Sequence, residues 1–258
     1  MSTAFLSQYG PWALVTGASS GIGEEFARQL AAKGLNLVLV ARRADRMQAL
    51  AEQLSQQYPI ETRVISLDLT DPNFLSTLTP QVEDIEIGLL VNNAGMMLNG
   101  PIHKVDLRRH QQLLALNCEA PLMLAHYYGK AMRARKQGGI IFTSSVSAFM
   151  SVPYMSHYAA SKAYVLSLAE SMSYEMRDAN VAVQALCPGY TETEMTAGIK
   201  GNIKMMTPTE VVKESLDNLG SKFTVINGAN NRRQVWMMRK LFSRKRALEM
   251  VGKMMKKN

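Results

Sequence analysis

The chain predicts an α/β fold, a doubly wound parallel sheet in a single domain, followed by a C-terminal helical extension. Three observations carry that prediction. Seven short runs are almost continuously apolar, as strands covered on both faces must be. Helix-patterned segments alternate with these runs along the chain. A glycine-rich turn joins the first run directly to the first helix. At 258 residues, 47% hydrophobic and 19% charged, the chain has the balance of a globular protein with a sizeable core.

In chain order the strand candidates are WALVT (12–16), NLVLVA (36–41), TRVISLD (62–68), IGLLVN (87–92), GIIFTSS (139–145), VAVQALC (181–187) and FTVING (223–228). Helical patterns fill the intervals: IGEEFARQLAAKG, RMQALAEQLSQQ, one long segment from Leu107 to Gln137, and HYAASKAYVLSLAESMSYEMRD. Gly34 and Gly138 follow helices, where a left-handed cap is needed. The strand–helix domain is expected to span 1–229, and a basic amphipathic helical extension 230–258. Within the domain no linker, repeat or low-complexity segment is evident.

The net charge of +8 is a property of the tail. After Asn231 there are ten lysines and arginines and one acid, Glu249, a local +9 that leaves −1 for the rest. Nucleic-acid binding is therefore disfavoured: the basic residues are terminal, and no recognition motif accompanies them. On one helix, Leu241, Leu248, Val251 and Met255 fall near a common face, with Lys245, Arg246, Lys253, Lys256 and Lys257 largely elsewhere. That is the pattern of an interfacial helix on an anionic membrane surface, or of a terminal helix docked on its own fold or a sister subunit. Cys118 and Cys187 sit in no metal-ligand spacing, so no metal is expected and two buried, reduced thiols are. The N-terminus lacks the pattern of a secretory signal and no run is long enough to span a bilayer, so a cytoplasmic protein is expected, peripheral to a membrane at most.

TGASSGIG (Thr16–Gly23) joins the first strand to a helix. Such a turn receives a pyrophosphate on free backbone N–H groups at the helix N-terminus. Gly17, Gly21 and Gly23 stand where a Cβ would block the turn or the phosphate, and Ser19, Ser20 and Ile22 complete the cradle. About twenty residues on, an acid ordinarily receives the ribose hydroxyls of an adenosine. Here the strand ends in VARRADR, placing Arg42 and Arg43 at that point. An arginine fork suits a phosphate, which favours NADP(H), with NAD(H) as the alternative. Asp45 reads as part of the following helix start.

Tyr158 and Lys162 in YAASK are four residues apart and share one helix face. A phenol with an ordinary pKa of ~10 is a poor general base near neutrality. A neighbouring ammonium stabilises the phenolate, so Tyr158 is a candidate to give a proton to a carbonyl oxygen or take it back from an alcohol. Ser145, thirteen residues earlier, ends a strand candidate; NNAG (Asn92–Gly95) ends another, and PGYTET (Pro188–Thr193) follows a third. Carboxyl ends of parallel strands are where ligands sit. Asn117 lies on the long helix.

Taken together, TGxxxGxG, NNAG, the helix asparagine, the Ser–Tyr–Lys spacing and PGxxxT resemble the short-chain dehydrogenase/reductase family over residues 10–228. The resemblance implies a Rossmann-type sheet of seven parallel strands, often assembled into homodimers or homotetramers. It implies Tyr158 as acid/base, Ser145 on the substrate oxygen, Lys162 on the nicotinamide ribose and lowering the tyrosine pKa, and Asn117 holding a proton-relay water. It places Asp68 and Leu69 beside the adenine, and Asn92, Ala94 and Gly95 along the adenosine side. Pro188, Gly189, Thr191 and Thr193 would position the nicotinamide and phosphates.

Around the expected carbonyl site the sequence is apolar: Met96, Met97 and Leu98; Phe149, Met150, Val152 and Met155; Tyr190, Met195, Met205 and Met206. Methionine adapts to irregular apolar shapes. The expected function is therefore NADP(H)-dependent carbonyl–alcohol interconversion on an apolar substrate, such as a 3-oxoacyl thioester or steroid-like ketone. His157 is a candidate to line the entrance, with a surface or capping histidine as the alternative. The tail is expected to serve as a lid, an assembly element or a contact for an anionic surface, CoA phosphate or acidic carrier. The rival reading is a non-catalytic NADP(H)-binding sensor or scaffold, which the intact Asn117, Ser145, Tyr158 and Lys162 set argues against.

Overall fold

The computed structural model describes residues 3–198 and 204–256; Lys257, one of the tail's expected cations, lies outside them. Seven strands form one sheet: β1 Trp12–Thr16, β2 Asn36–Ala41, β3 Thr62–Ser66, β4 Ile87–Asn92, β5 Gly138–Thr143, β6 Val181–Cys187 and β7 Thr224–Ile226. Their order is β3-β2-β1-β4-β5-β6-β7, and each neighbouring pair is parallel. The chain winds outward twice from β1 and β4, so the crevice at their carboxyl ends is the topological switch point where ligands bind.

The period-two geometry of a strand divides each apolar run between two faces. Leu14, Val38, Leu90 and Phe142 join one core. It is covered by α4 Phe74–Leu78, α6 Ala120–Arg135 and α7 Ser156–Glu175. Val15, Leu37, Val91 and Ile141 join the opposite core. There α2 Gly21–Ala32, α3 Ala44–Gln57 and α8 Pro208–Asp217 pack. A short α1, Thr3–Tyr9, precedes β1, and α5 spans Leu107–Leu114.

Three strands end earlier than their apolar runs. Leu67, Asp68, Ser144 and Ser145 leave the ladder at the ligand edge, and β7 holds only three of six candidate residues. The long helix expected from Leu107 to Gln137 is α5 and α6 joined by a π turn at Ala115–Glu119. Pro121 explains the break, because its ring crowds the carbonyl four residues back, at Asn117, and a widened turn relieves that contact. Gly34 has the expected positive φ of 87°, but the left-handed cap of α6 is Lys136, at 57°.

The tail forms two helices, α9 Ala229–Lys240 and α10 Arg244–Met255, with Ser243 capping the second through Arg246 N at 3.4 Å. The single amphipathic face expected there is broken. Leu241 lies in the connection and is 59% exposed, and Leu248 is exposed as well. Val251 is only 6% exposed, in a third core with Leu98, Leu113, Val152, Met155, Tyr158 and Ala159. Among the described residues no helix is long and apolar enough to cross a membrane.

Candidate active site

Thr16 ties the two central strands at the switch point. Its hydroxyl donates to Val91 O at 3.2 Å and accepts from Asn93 N and Ala94 N at 2.9 and 3.0 Å. The next residue, Gly17, has φ +67°, and a Cβ there would meet Ala94 Cα at 2.9 Å. Gly23 backs the same turn, with its missing Cβ only 2.2 Å from Gly17 O. Gly21, at φ +58°, lets Thr193 approach from the loop after β6. These glycines keep the turn tight and its groove side open.

Arg43 lies across the turn. Its Nε and Nη2 donate to Ser19 Oγ at 3.1 and 3.0 Å, and Nη2 also reaches Ser20 Oγ at 2.7 Å. Ser20 is the N-cap of α2, yet its side chain makes no cap bond. Arg42, Asp68 and Leu69 line the same groove. Asp68 holds its own loop through Thr70 N and Oγ1, both at 2.9 Å.

At the other end Tyr158 and Lys162 project from α7, 9% and 5% exposed. Lys162 Nζ donates to Thr143 O at 2.7 Å, and Ser144 Oγ donates to Lys162 O at 2.8 Å, so the end of β5 holds that turn of the helix. The ammonium stands 5.8 Å from the Tyr158 ring centroid. Burial lowers the Lys162 pKa to about 8. Burial raises that of Tyr158; the Ser145 hydroxyl beside it acts the other way, and Tyr190 adds to the rise. In the protein alone, the expected lowering of the tyrosine pKa by Lys162 does not offset burial. Desolvation of the phenolate outweighs the other influences, and Tyr158 is held as a proton donor.

Asn117 lies behind this pair. Its Oδ1 accepts from Met96 N at 2.9 Å, while Nδ2 donates to Met96 O and Ser161 Oγ at 2.9 and 3.0 Å. A Cβ on Gly95 would meet both Asn117 Oδ1 and Lys162 Nζ, at 3.3 and 3.4 Å, so both atoms lie close to this glycine. Ser145 Oγ accepts from Ser147 N at 3.1 Å, and the Ser147 hydroxyl is buried without a partner.

One cavity of about 640 Å³ runs from the phosphate turn to Tyr158. Of the residues expected at the site, Gly23, Asn92 and Asn117 do not line it. Gly23 supports the turn from behind, and Asn92 is buried with Nδ2 on Pro121 O at 3.3 Å. Asn93 lines it instead, its Nδ2 bound to Thr16 O at 3.0 Å. Pro188, Gly189, Thr191 and Thr193 border it from the loop after β6.

Of the apolar residues expected around the carbonyl site, Met97, Met150, Val152, Met155, Tyr190 and Met195 face the cavity. Met96 and Leu98 pack in the third core, Met206 against the α2–α8 core, and Phe149 under Arg239 at 5.7 Å. Met205 borders a separate, shallower pocket. The rest of the wall comes from the tail: Asn231, Gln234 and Met238 on α9, with Met250, Val251, Met254 and Met255 on α10. Both sets repeat at helical spacing, a signal that Val251 and Met255 already carried. Glu194 also lines the groove unforeseen. His157 pairs with His110, Nδ1 to Nδ1 at 2.8 Å. Cys187 is buried as expected, but Cys118 is half-buried.

The family model for short chain dehydrogenases matches residues 11–204. A 7β-hydroxysteroid dehydrogenase of Clostridium sardiniense is 31% identical over 236 residues, which cover 90% of each chain. A solved 7β-hydroxysteroid dehydrogenase superposes with a TM-score of 0.91 at 27% identity, over 96% of this chain and 98% of that one. A short-chain dehydrogenase from Sphingobium yanoikuyae in complex with NADPH gives 0.79 at 34% identity, over 84% and 87% of the two chains. The glycine turn, the Ser–Tyr–Lys set and these likenesses agree: the chain belongs to the short-chain dehydrogenase/reductase family of oxidoreductases.

Proposed function

We propose that this protein is an NADP(H)-dependent oxidoreductase that interconverts a ketone and a secondary alcohol on a bulky, apolar, steroid-like substrate. The observation that carries the reading is the shape of one cavity. It begins at the Arg43–Ser19–Ser20 cluster and ends at Tyr158 in a wall of methionines. The tight turn, free of a side-chain cap, fits a pyrophosphate, and the arginine with its serine hydroxyls fits a ribose phosphate. Bound in that groove, the nicotinamide cofactor supplies or accepts the hydride.

The chain's own residues handle the proton and the orientation. Tyr158, kept protonated by burial, donates to the carbonyl oxygen in reduction and recovers the proton in oxidation. The Ser145 hydroxyl holds that oxygen in place. Lys162, fixed by Thr143 O near the Tyr158 ring, would hold the cofactor's ribose. Asn117 fixes the Met96 backbone and Ser161, and so the floor beneath Lys162. The methionines of α9 and α10 exclude water and accept a broad apolar skeleton.

Likeness to 7β-hydroxysteroid dehydrogenases supports a steroid-like skeleton over an acyl thioester. Likeness to an NADPH complex supports the phosphorylated cofactor. A cytoplasmic homo-oligomer remains our reading of its setting, and the tail's exposed Trp236 and Leu241, beside its cations, suit an anionic surface.

The test is turnover of a panel of hydroxysteroids, bulky ketones and 3-oxoacyl thioesters with NADPH and NADH. Tyr158→Phe is expected to lower kcat by about 10²–10⁴-fold while cofactor binding persists. No turnover of any carbonyl, with NADPH still bound, would favour the sensor reading instead.

A further inference from the structure

Glu194 stands in the turn after β6, 151 residues from Arg43 in sequence. Its Oε2 receives Arg43 Nη1 at 2.7 Å, and its Oε1 is paired with the Arg46 guanidinium. Arg43 thus divides its donors: Nη1 goes to the carboxylate, while Nε and Nη2 go to Ser19 and Ser20. Two guanidiniums meet on this one anion, and two serine hydroxyls flank the nearer guanidinium; together they are the donor set that a phosphate dianion seeks. A carboxylate of this chain already occupies part of it. Glu194 also lines the dinucleotide groove itself, with Arg42, Arg43 and Ser19.

We propose that Glu194 is a built-in rival for the phosphate on the cofactor's adenosine ribose, and so tempers the preference for the phosphorylated dinucleotide. The inference rests on the reading that this groove takes NADP(H). A dinucleotide with the ribose phosphate must detach Glu194 from Arg43, or share the arginine with a second anion. One without that phosphate need do neither. The carboxylate therefore weakens the two cofactors unequally, and removing its charge widens the gap between them. The two arginines hold Glu194 at a pKa of about 2, so the competition persists at any working pH.

The position of Glu194 gives this competition a second effect. Thr193, its neighbour, packs against Gly21 of the phosphate turn, and Thr196 Oγ1 bonds Thr191 O at 2.5 Å and Thr193 O at 3.0 Å. Glu194 is thus the outer tether of a small hydrogen-bonded turn whose inner side borders the groove. Displacing it frees that tether. Binding of the ribose phosphate and the placement of this turn are then linked reciprocally.

A different role would leave a different trace. If Glu194 were a strap that closes over any dinucleotide, its loss would weaken both cofactors alike. The experiment is calorimetric titration of the full chain and its Glu194→Gln variant with NADPH, NADH, 2′,5′-ADP and 5′-AMP, at low and moderate salt. The exchange is isosteric at an exposed position, and a matching thermal melt confirms the fold. Glu194→Gln is expected to bind NADPH and 2′,5′-ADP about fivefold more tightly, the scale of an exposed ion pair, with NADH and 5′-AMP within about twofold of wild type. The gain should shrink as salt rises. Equal weakening of all four ligands, or no change in any, with wild type still preferring NADPH, overturns the proposal and leaves the cofactor reading standing. A wild type that prefers NADH, and whose affinity for NADPH survives Arg43→Ala, overturns the cofactor reading and this proposal with it.

Discussion

Replacing Lys162 with methionine should leave the cofactor-free protein at least as stable at pH 7, although it removes a buried and hydrogen-bonded side chain. Lys162 gives up its proton near pH 8, against an ordinary 10.5, because burial strips the ammonium of water. At ~1.36 kcal/mol per pH unit, that difference is a destabilisation of about 3 kcal/mol for holding the charge in the fold. Methionine has a similar length and no such cost. Against this gain stands the 2.7 Å bond from Nζ to Thr143 O, whose loss leaves a buried carbonyl poorly satisfied, at about 1–3 kcal/mol. The balance for Lys162→Met is a change of about 0 to +2 kcal/mol in stability at pH 7.

The sign with pH gives the sharper test. Between about pH 8 and 10.5 the unfolded chain keeps the lysine proton that the folded chain has lost, so wild-type stability rises with pH relative to the variant. Below pH 8 the full penalty applies. Urea unfolding of both proteins at pH 7 and pH 9.5 should show wild type gaining about 2 kcal/mol on the variant across that interval. A variant less stable by more than about 2 kcal/mol at pH 7, with a gap independent of pH, would refute the reasoning, since bond loss would then outweigh desolvation. The same substitution should abolish turnover, making Lys162 a residue retained for chemistry at the expense of stability.

Two other perturbations probe the surroundings of the site. Gly23→Ala sets a Cβ 2.2 Å from Gly17 O and 2.5 Å from Asn93 Nδ2; a loss of at least about 2 kcal/mol and weakened NADPH binding are expected, and a wild-type urea midpoint would contradict the packing argument. The His157–His110 bond accommodates one bridging proton, and burial followed by His110 lowers the His157 pKa from 6.5. The unfolded state then binds a proton more readily, so stability present above pH 6.5 is lost as pH falls below it. Melting temperature should drop more from pH 7.5 to 5.5 in wild type than in His157→Asn, and equal drops would remove the pair as the cause.

Strands β1, β2, β4 and β6 coincide with their apolar runs. Burial on both faces leaves one polar residue in their interiors, Gln184 of β6, which is paired with Ser215, and turn residues stop them at the edges. The runs for β3 and β5 overshot for a physical reason. Leu67 N and Ser144 N still bond the neighbouring strand, to Ala41 O at 2.9 Å and Leu186 O at 2.7 Å, while the chain bends toward the groove. Those residues look like strand because they nearly are, and Asp68 and Ser145 beside them border the cavity. Helix α8 had a readable signal in Thr207–Glu210, a reciprocal capping box with proline at the first turn. The phosphate turn and the Tyr–Lys pair were legible because their spacing is local. Glu194 was not, since nothing local announces a partner 151 residues away.

The tail shows how charge can direct attention to the wrong face of a segment. Its net charge suggested an outward-facing role, and the cations do lie among exposed residues. Yet a single straight helix could not have built the wall that α9 and α10 make. At ~1.5 Å per residue, Met238 and Met254 would stand about 24 Å apart on one helix, too far to border the same end of one cavity. The interruption at Leu241–Ser243 turns the chain and brings both methionines to that cavity, with Val251 seated against Tyr158 and Met155 and Gly252 against Pro153. Leu241 is exposed because the break takes it off the helix, and Val251 is buried because the break swings its helix inward. Apolar periodicity within the tail was therefore a record of packing against the cavity, interrupted by a turn that only the folded chain makes evident. Under the proposed function, exchanging methionines on α10 would change which skeleton is accepted while leaving Ser145, Tyr158 and Lys162 untouched.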